Sequence, residues 1–173
     1  SSDVALPIYN VQHMDMNGNS ELAVPQNTLG AELRQLENKQ WEQITLPHTP
    51  FVEPLTVLHQ WQGICYYKKK ITITPEEAKK HIWIEFEGAM HLADVWINGK
   101  HVMQHAGGYT PFVVDATGLL KTDKENELLV RLDNRNNSLI PPGKPLETLD
   151  FCYYGGIYRN VHLIAKADVH ITH

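Results

Sequence analysis

The stretch Val95-Trp96-Ile97-Asn98-Gly99-Lys100-His101-Val102 decides the fold class of this chain. It places an Asn-Gly pair between two apolar arms. Asn-Gly supplies the two positive φ angles that a type I′ turn requires, and this turn matches the twist of the strands it joins. The stretch therefore predicts a tight hairpin of two antiparallel strands.

Short runs of β-type sequence lie on both sides of this hairpin. The residues from 82 to 87 alternate between apolar and polar side chains, which is the period of a half-buried strand. Similar runs lie at 43–46, 66–74, 128–132 and 158–165. About eight short strands separated by turn residues predict an all-β fold, a sandwich or a barrel with antiparallel pairing.

Helical patterns are few and short. Leu29, Leu33 and Leu36 have helical spacing and predict a short helix over 28–38. Thr74-Pro75-Glu76-Glu77 has the pattern of a capping box and predicts one helical turn. Neither segment resembles a crossover between parallel strands, so an α/β fold is excluded.

Composition narrows the function classes. The chain has 173 residues, enough for one domain, with 15 Lys and Arg against 20 Asp and Glu and a formal net charge of −5. No basic excess is available to neutralise phosphates, so nucleic acid is not an expected partner. The apolar runs at 61–67 and 81–86 are far shorter than the ~20 residues that span a bilayer, so no membrane partner is expected.

The two cysteines, Cys65 and Cys152, match no metal-ligand spacing. We expect two buried thiols that are not paired, with a single long-range disulfide as the alternative. The cysteines therefore do not define the cellular compartment, and the location stays open. No nucleophile elbow, phosphate loop or zinc signature is present.

Two pairs of residues could carry chemistry but have simpler interpretations. Glu85 and Glu87 share one face of a strand with their backbones roughly 7 Å apart, near the separation of a glycosidase carboxylate pair. The wet face of a sheet is the interpretation we favour. His101 and His105 could share a strand face at metal-ligand reach, but no third ligand is in view. We expect solvated or hydrogen-bonded histidines.

The most informative segment for binding follows a long connection. Residues 134–148 contain three prolines and the apolar anchors Leu139, Ile140 and Leu146, which together predict an ordered loop facing a partner surface. Asp150 comes next and leads the aromatic segment 151–158. A carboxylate beside aromatic rings can hold a sugar, because it accepts hydroxyl hydrogen bonds while a ring covers the C–H face. Core packing is the alternative role for these aromatics.

In order along the chain, a set of motifs resembles the N-terminal domain of glycoside hydrolase family 2 enzymes. This family contains β-galactosidases, β-glucuronidases and β-mannosidases, and the resemblance covers about 41–165. The matching motifs are Leu46-Pro47-His48, Gly63-Ile64-Cys65-Tyr66-Tyr67, Phe86-Glu87-Gly88, Val95-Trp96-Ile97-Asn98-Gly99, Gly107-Gly108-Tyr109-Thr110-Pro111-Phe112, Asn126-Glu127-Leu128-Leu129-Val130-Arg131-Leu132-Asp133-Asn134 and Gly155-Gly156-Ile157-Tyr158-Arg159-Asn160-Val161.

The resemblance implies a jelly-roll β-sandwich, the sugar-binding domain that precedes an immunoglobulin-like domain and a catalytic barrel in the family. Residues 1–40 would be an N-terminal extension packed on the sandwich, 41–167 the sugar-binding domain, and 168–173 the start of a linker to the next domain. The family's catalytic glutamates lie on the barrel and match no position here, so we expect this chain alone to be inactive. The resemblance is compatible with a periplasmic or secreted location.

The resemblance also implies particular site residues. An aspartate six residues before a Gly-Ile-aromatic-Arg motif contacts galactosyl hydroxyls in similar β-galactosidases and lies near a bound monovalent cation. Asp150 has this position relative to Gly156. It is therefore the residue expected to contact the substrate and to bind the monovalent cation. Tyr153, His59 and Gln60 are further candidates for substrate binding. No other cofactor is expected.

Three functional hypotheses follow. The first is an accessory domain of a β-galactosidase-like exo-glycosidase, with a β-galactoside-like carbohydrate and the chain's own downstream domains as partners. The alternatives are a free-standing carbohydrate-binding module and a purely structural docking module. If the chain is an accessory domain, we expect an exposed apolar patch on residues 134–150 and 151–154. Arg159 is expected to be buried and paired with a carboxylate.

Overall fold

The computed structural model describes residues 2–5, 8–15, 41–50, 61–145 and 148–167. These residues form short strands that pair only in antiparallel fashion. In chain order the strands are β1 (Ser2–Ala5), β2 (Ile8–Asp15), β3 (Glu42–Thr45), β4 (Gly63–Ile71), β5 (His81–Phe86), β6 (Leu92–Ile97), β7 (Lys100–Ala106), β8 (Phe112–Asp115), β9 (Asn126–Asp133) and β10 (Val161–Lys166).

The strands form two sheets. One has four strands in the order β1-β10-β5-β8, and the other has six in the order β3-β2-β4-β9-β6-β7. Neighbours in a sheet are mostly distant in sequence, because the chain crosses repeatedly between the two sheets, as in jelly rolls. The predicted all-β sandwich of antiparallel strands is confirmed.

The Asn-Gly hairpin has the predicted geometry. Asn98 and Gly99 have φ angles of 51° and 78°, both positive as a type I′ turn requires. The turn joins β6 to β7 and places Trp96 opposite His101. Asn98 also ties the turn to the start of β9, since its Oδ1 accepts a hydrogen bond from the Glu127 amide at 3.0 Å.

The core lies between the two sheets. Alternate residues of β5 (Ile82, Ile84 and Phe86) are 0–1% exposed, and Val161, Leu163 and Ala165 of β10 face the same interior. Burial of each such aliphatic or aromatic side chain contributes about 1.5–3 kcal/mol relative to exposure. The interior is a continuous apolar layer that holds both sheets in register and gives the loops at its ends a rigid base.

The first residues of the chain form strands that belong to the two sheets. β1 pairs with β10, and β2 lies between β3 and β4 in the six-stranded sheet. The sequence of this segment predicts no strands, because its apolar residues show no clear period. The predicted helix over 28–38 lies outside the described residues. The domain boundaries at 41 and 168 stay predictions.

The capping box forms as predicted. Glu77 accepts a hydrogen bond from the Thr74 amide at 2.7 Å and donates its own amide to the Thr74 hydroxyl at 3.2 Å. A single 3₁₀ turn, Glu77–Lys79, follows these hydrogen bonds. Among the described residues, no helix is long and apolar enough to cross a membrane.

Candidate functional site

The candidate site lies at the end of the sandwich where β9 finishes and the long loop begins. Asn134, which is 1% exposed, joins this loop to the segment before β4. Its Oδ1 accepts a hydrogen bond from the Gly63 amide at 2.8 Å, and its Nδ2 donates to the Trp61 carbonyl at 3.0 Å. Gln62 extends the connection by donating to Asn136 Oδ1 at 2.8 Å.

A pair of charged residues fixes the direction in which the loop leaves the sheet. Arg135 donates from Nε and Nη2 to the two carboxylate oxygens of Asp133, at 3.0 and 2.7 Å. The Arg135 amide adds a third hydrogen bond to Asp133 Oδ1 at 3.1 Å. Asp133 is fully buried, so this two-pronged contact is shielded from solvent and geometrically restrictive.

Further charged side chains lie next to Asp133 on the outer face of the six-stranded sheet. Arg131 lies with Nη2 3.5 Å from Asp133 and Nη1 3.8 Å from Asp94, and all three side chains are about 1% exposed or less. Asp94 also accepts a hydrogen bond from His101 Nε2 at 2.9 Å. This buried network was not predicted from sequence, because its members are polar residues on strands whose neighbours are apolar.

The described part of the long loop, residues 134–145, makes several contacts of its own. Ile140 is the apolar anchor and is 1% exposed. The Leu139 amide donates to Asn137 Oδ1 at 2.9 Å, and the Gly143 amide donates to the Ile140 carbonyl at 2.8 Å. Leu139 was also expected to be an anchor, and this was wrong: its side chain is 74% exposed. Leu146 lies outside the described residues.

Asp150 occupies a bend just beyond the loop, and its side chain is exposed. Within the part of the chain that the structure describes, no residue hydrogen bonds or forms an ion pair with its carboxylate. The residues on either side are anchored, with Leu149 8% and Tyr153 5% exposed, while Phe151 is 43% exposed. The carboxylate is thus accessible on a segment whose two ends are held in the protein.

Tyr153 lies beneath this segment rather than on its surface. It packs with Met90 and Leu149 in a small apolar cluster, and its hydroxyl forms a hydrogen bond with Nδ1 of His91. Burial raises the pKa of the Tyr153 phenol and lowers that of His91 to about 4, so both groups are neutral at pH 7. A direct contact between Tyr153 and substrate stays a prediction.

A shallow depression lies beside the His91–Tyr153 pair, with room for about one water molecule. Residues of the loop and residues of the cluster around Tyr153 both line it. Its lining includes His91, Asn136, Asn137, Ile140, Leu149 and Tyr153. This depression is far too small to enclose a sugar ring, so a bound sugar would need walls from elsewhere.

The Gly-Gly-Ile turn locks the chain that follows Asp150. Gly156 has a φ of +97°, and a Cβ there would lie 2.6 Å from the Tyr67 hydroxyl oxygen and 2.7 Å from the His48 carbonyl. The same two residues hold Ile157: His48 donates its amide to the Ile157 carbonyl at 2.8 Å, and the Ile157 amide donates to Tyr67 at 3.4 Å. Only glycine fits position 156.

Arg159 was expected to be buried beside a carboxylate, and this was wrong. Its side chain is exposed, and its Cζ lies 5.9 Å from the ring centroid of Tyr158. The strand β10 begins only at Val161, so Arg159 belongs to the preceding turn, where alternation between core and surface does not apply. His59 and Gln60 lie outside the described residues.

In the alternative carboxylate pair, Glu87 has a structural role. Glu85 and Glu87 are both partly exposed, and Glu87 accepts hydrogen bonds from Asn160 Nδ2 and His162 Nε2, each at 3.2 Å. Glu87 therefore joins the turn before β10 to β5, as the wet-face interpretation implies.

The alternative histidine pair does not converge. His101 bonds to Asp94 on the outer face of the six-stranded sheet, whereas His105 stacks on the core residue Phe112, with ring centroids 4.4 Å apart. A shift in the β6–β7 register lies between the two histidines and separates them. Within the described ranges, no group of three or more His, Cys, Asp or Glu side chains could hold a metal ion. Cys65 and Cys152 are unpaired, the former buried and the latter half-buried.

Comparisons with known proteins agree with this architecture. The family model described as glycosyl hydrolases family 2, sugar binding domain, matches residues 11–167. The chain therefore belongs to this family.

Two curated relatives are similar in sequence. The chain is 33% identical to a β-galactosidase of Thermoanaerobacter pseudethanolicus over 153 residues, which covers 87% of this chain and 20% of the relative. It is 37% identical to a β-glucuronidase of Bacteroides fragilis over 135 residues, covering 75% of this chain and 18% of the relative. The chain thus spans about a fifth of the length of these relatives.

A solved structure is similar in fold. The β-glucuronidase of Bacteroides uniformis superimposes with a TM-score of 0.71 at 26% identity, over 96% of this chain and 18% of that one. The family match and the fold together assign the chain to the family 2 sugar-binding domains.

Proposed function

We propose that this chain is the accessory sugar-binding domain of a β-galactosidase-like exo-glycosidase, and that Asp150 accepts hydrogen bonds from substrate hydroxyls. The observation that carries the proposal is the exposed Asp150 carboxylate, which has no partner among the described residues and lies on an anchored segment. The hydrolysis itself would take place on a separate catalytic barrel, where the family resemblance places the catalytic glutamates.

The energetics favour a contact of this kind. An ionised carboxylate accepts stronger hydrogen bonds than a neutral group does, by roughly a factor of two. Because Leu149 and Tyr153 anchor the segment, little conformational freedom would be lost when a sugar binds to Asp150. Contacts to hydroxyls away from the cleaved bond accelerate hydrolysis only as far as they are stronger in the transition state than in the substrate complex.

A monovalent cation beside Asp150 is part of the proposal. A carboxylate oxygen is a suitable ligand for a hard cation, and the exposed Asp150 side chain can supply one. The described residues offer no set of three acidic, histidine or cysteine ligands, so the rest of the coordination shell would come from other parts of the enzyme or from the sugar. The cation would supply positive charge that orients the Asp150 carboxylate and a sugar hydroxyl.

The test is Asp150→Asn in the full-length enzyme that carries this domain. We expect kcat/KM on a chromogenic β-galactoside or β-glucuronide to fall. The fall should correspond to a rise of about 2 kcal/mol or more in activation free energy, which is the scale of a hydrogen bond to a charged group. Asp123→Asn is the matched control, because Asp123 is also exposed but lies just before the start of β9, whereas the candidate site lies beyond the end of this strand, which is about 25 Å long. Full activity of Asp150→Asn would overturn the proposal.

A carbohydrate-binding module that acts on its own is the second candidate. The observation that favours it is Phe151, an exposed aromatic ring next to Asp150. That function requires measurable affinity of the 173-residue chain for galactose, glucuronate or oligosaccharides by calorimetry. The accessory-domain proposal expects almost no binding, because the depression beside His91 cannot enclose a sugar. A purely structural docking module would instead place Asp150 against protein, and Asp150→Asn would leave activity unchanged.

A further inference from the structure

His91 occupies a fixed position at the base of the candidate site. It directly precedes β6 and is 1% exposed. Its backbone is held on both sides, since its amide donates to the Asp133 carbonyl at 3.4 Å and its own carbonyl accepts from the Gly107 amide at 3.0 Å. The two partners are Asp133, at the end of β9, and Gly107, directly after β7. These contacts therefore do not involve the segment that carries Asp150.

The His91 side chain connects this fixed position to that segment. Its Nδ1 forms a hydrogen bond with the Tyr153 hydroxyl, and the two rings meet edge to face with centroids 5.7 Å apart. Tyr153 packs in turn against Leu149 and Met90. Leu149 and Tyr153 bracket Asp150 along the chain, so the cluster beneath them determines where the bend at Asp150 lies.

The chemistry of the pair suits a support rather than a reacting group. Burial keeps the imidazole neutral, so His91 does not place a competing positive charge near the Asp150 carboxylate. The hydroxyl–imidazole hydrogen bond is directional, whereas the surrounding apolar contacts are not. It therefore selects one orientation of the Tyr153 ring among those that the apolar cluster would accept.

We propose that His91 is a positioning residue for Asp150, acting through the Tyr153 hydroxyl to hold the Leu149–Tyr153 segment at the rim of the sugar pocket. The inference rests on the proposed function, because it assigns His91 a role only in the contact made by Asp150. No motif in the sequence singles out this histidine.

The test is a double-mutant cycle in the full-length enzyme with Asp150→Asn, His91→Phe and the double variant. We expect His91→Phe, which keeps a ring but loses the hydrogen bond, to lower kcat/KM about tenfold when Asp150 is present. In the Asp150→Asn background the same change should cost less than about twofold, because the two residues act as one unit. His91→Asn places an amide near the Nδ1 position and should restore kcat/KM to within about threefold of wild type.

The outcomes separate this inference from the proposed function. A loss that is equal in both backgrounds, or His91→Asn behaving as badly as His91→Phe, would show a general structural role and overturn the inference while leaving Asp150 in place. Full activity of Asp150→Asn would overturn the proposed function and the role of His91 together. If His91→Phe does not fold, Tyr153→Phe removes the same hydrogen bond from the other side and takes its place in the cycle.

Discussion

The buried His91 makes the stability of this domain depend on pH. Its pKa is about 4 in the folded protein against an ordinary value of 6.5, because burial penalises the imidazolium. Between these two values the unfolded chain binds a proton that the folded chain does not, so the free energy of unfolding falls as the pH is lowered from 6.5 to 4. This contribution to stability is present above about pH 6.5, and it is lost by about pH 4.

The magnitude follows from the two pKa values. A difference between 6.5 and about 4 corresponds to about 3 kcal/mol when the transition is complete. Over the accessible range from pH 7 to pH 5, linkage gives a loss of about 2 kcal/mol from this one residue. That is a substantial fraction of the 5–15 kcal/mol typical of domains, so acidification should move the urea midpoint visibly.

The assay compares urea unfolding of the 173-residue chain with that of His91→Asn at pH 7, 6 and 5. The variant cannot titrate at this position, so the difference between the two unfolding free energies should change by about 2 kcal/mol across the range. The pKa of His105 is also lowered by burial, and His105 adds a contribution of the same sign. It is present in both proteins and cancels in the difference.

Tyr153→Phe is the control that separates the titration from the hydrogen bond. It retains His91 but removes the hydroxyl, so it should lose stability by a nearly constant amount and keep the dependence on pH. A difference between wild type and His91→Asn that stays constant within about 0.5 kcal/mol from pH 7 to pH 5 would refute the reasoning, because His91 would then be no harder to protonate in the folded chain.

Two further substitutions test the contacts that hold the segments on either side of the candidate site. Gly156→Ala should destabilise the domain by about 2 kcal/mol or more in urea unfolding, because a Cβ at that φ is strained and collides with the Tyr67 hydroxyl; an unchanged midpoint would contradict the turn geometry. Arg135→Gln should cost about 2 kcal/mol and speed proteolysis of the 134–148 loop, since the buried Asp133 loses both guanidinium hydrogen bonds and keeps the Arg135 amide and the Arg131 side chain beside it. Lys70→Gln is the control, because it breaks an exposed ion pair with Glu125 and should leave the unfolding midpoint and the cleavage rate unchanged. An equal effect of Lys70→Gln and Arg135→Gln would argue against a role of the Arg135–Asp133 contact in holding the loop.

Features set by neighbouring residues were predictable. The hairpin follows from Asn98-Gly99, because positive φ angles are a local property of these two residues. The alternation in β5 follows from the two-residue period of a strand that faces a core on one side. Local hydrogen bonds likewise determine the capping box at Thr74. Each prediction depends on contacts within a few positions along the chain, and each is confirmed.

Predictions failed where the outcome depended on the packing of distant segments. Leu139 is apolar, yet it is exposed while its neighbour Ile140 is buried. Arg159 is exposed because β10 begins after it, and the strands at the N-terminus form by pairing with β10, β3 and β4. Their own sequence carries only a weak strand signal, so sheet formation there depends on partners that the local pattern does not reveal.

The sequence by itself determined the fold class, through its turn residues and the period of its apolar positions, and it determined the candidate residue Asp150, through a resemblance in the motifs around it. Only the tertiary structure decided which groups support that residue. His91 and Tyr153 are 62 positions apart, and their hydrogen bond exists only because the sandwich brings the start of β6 beside the segment after the long loop. Contacts of this range depend on the whole packing arrangement, and no local pattern of side chains encodes them.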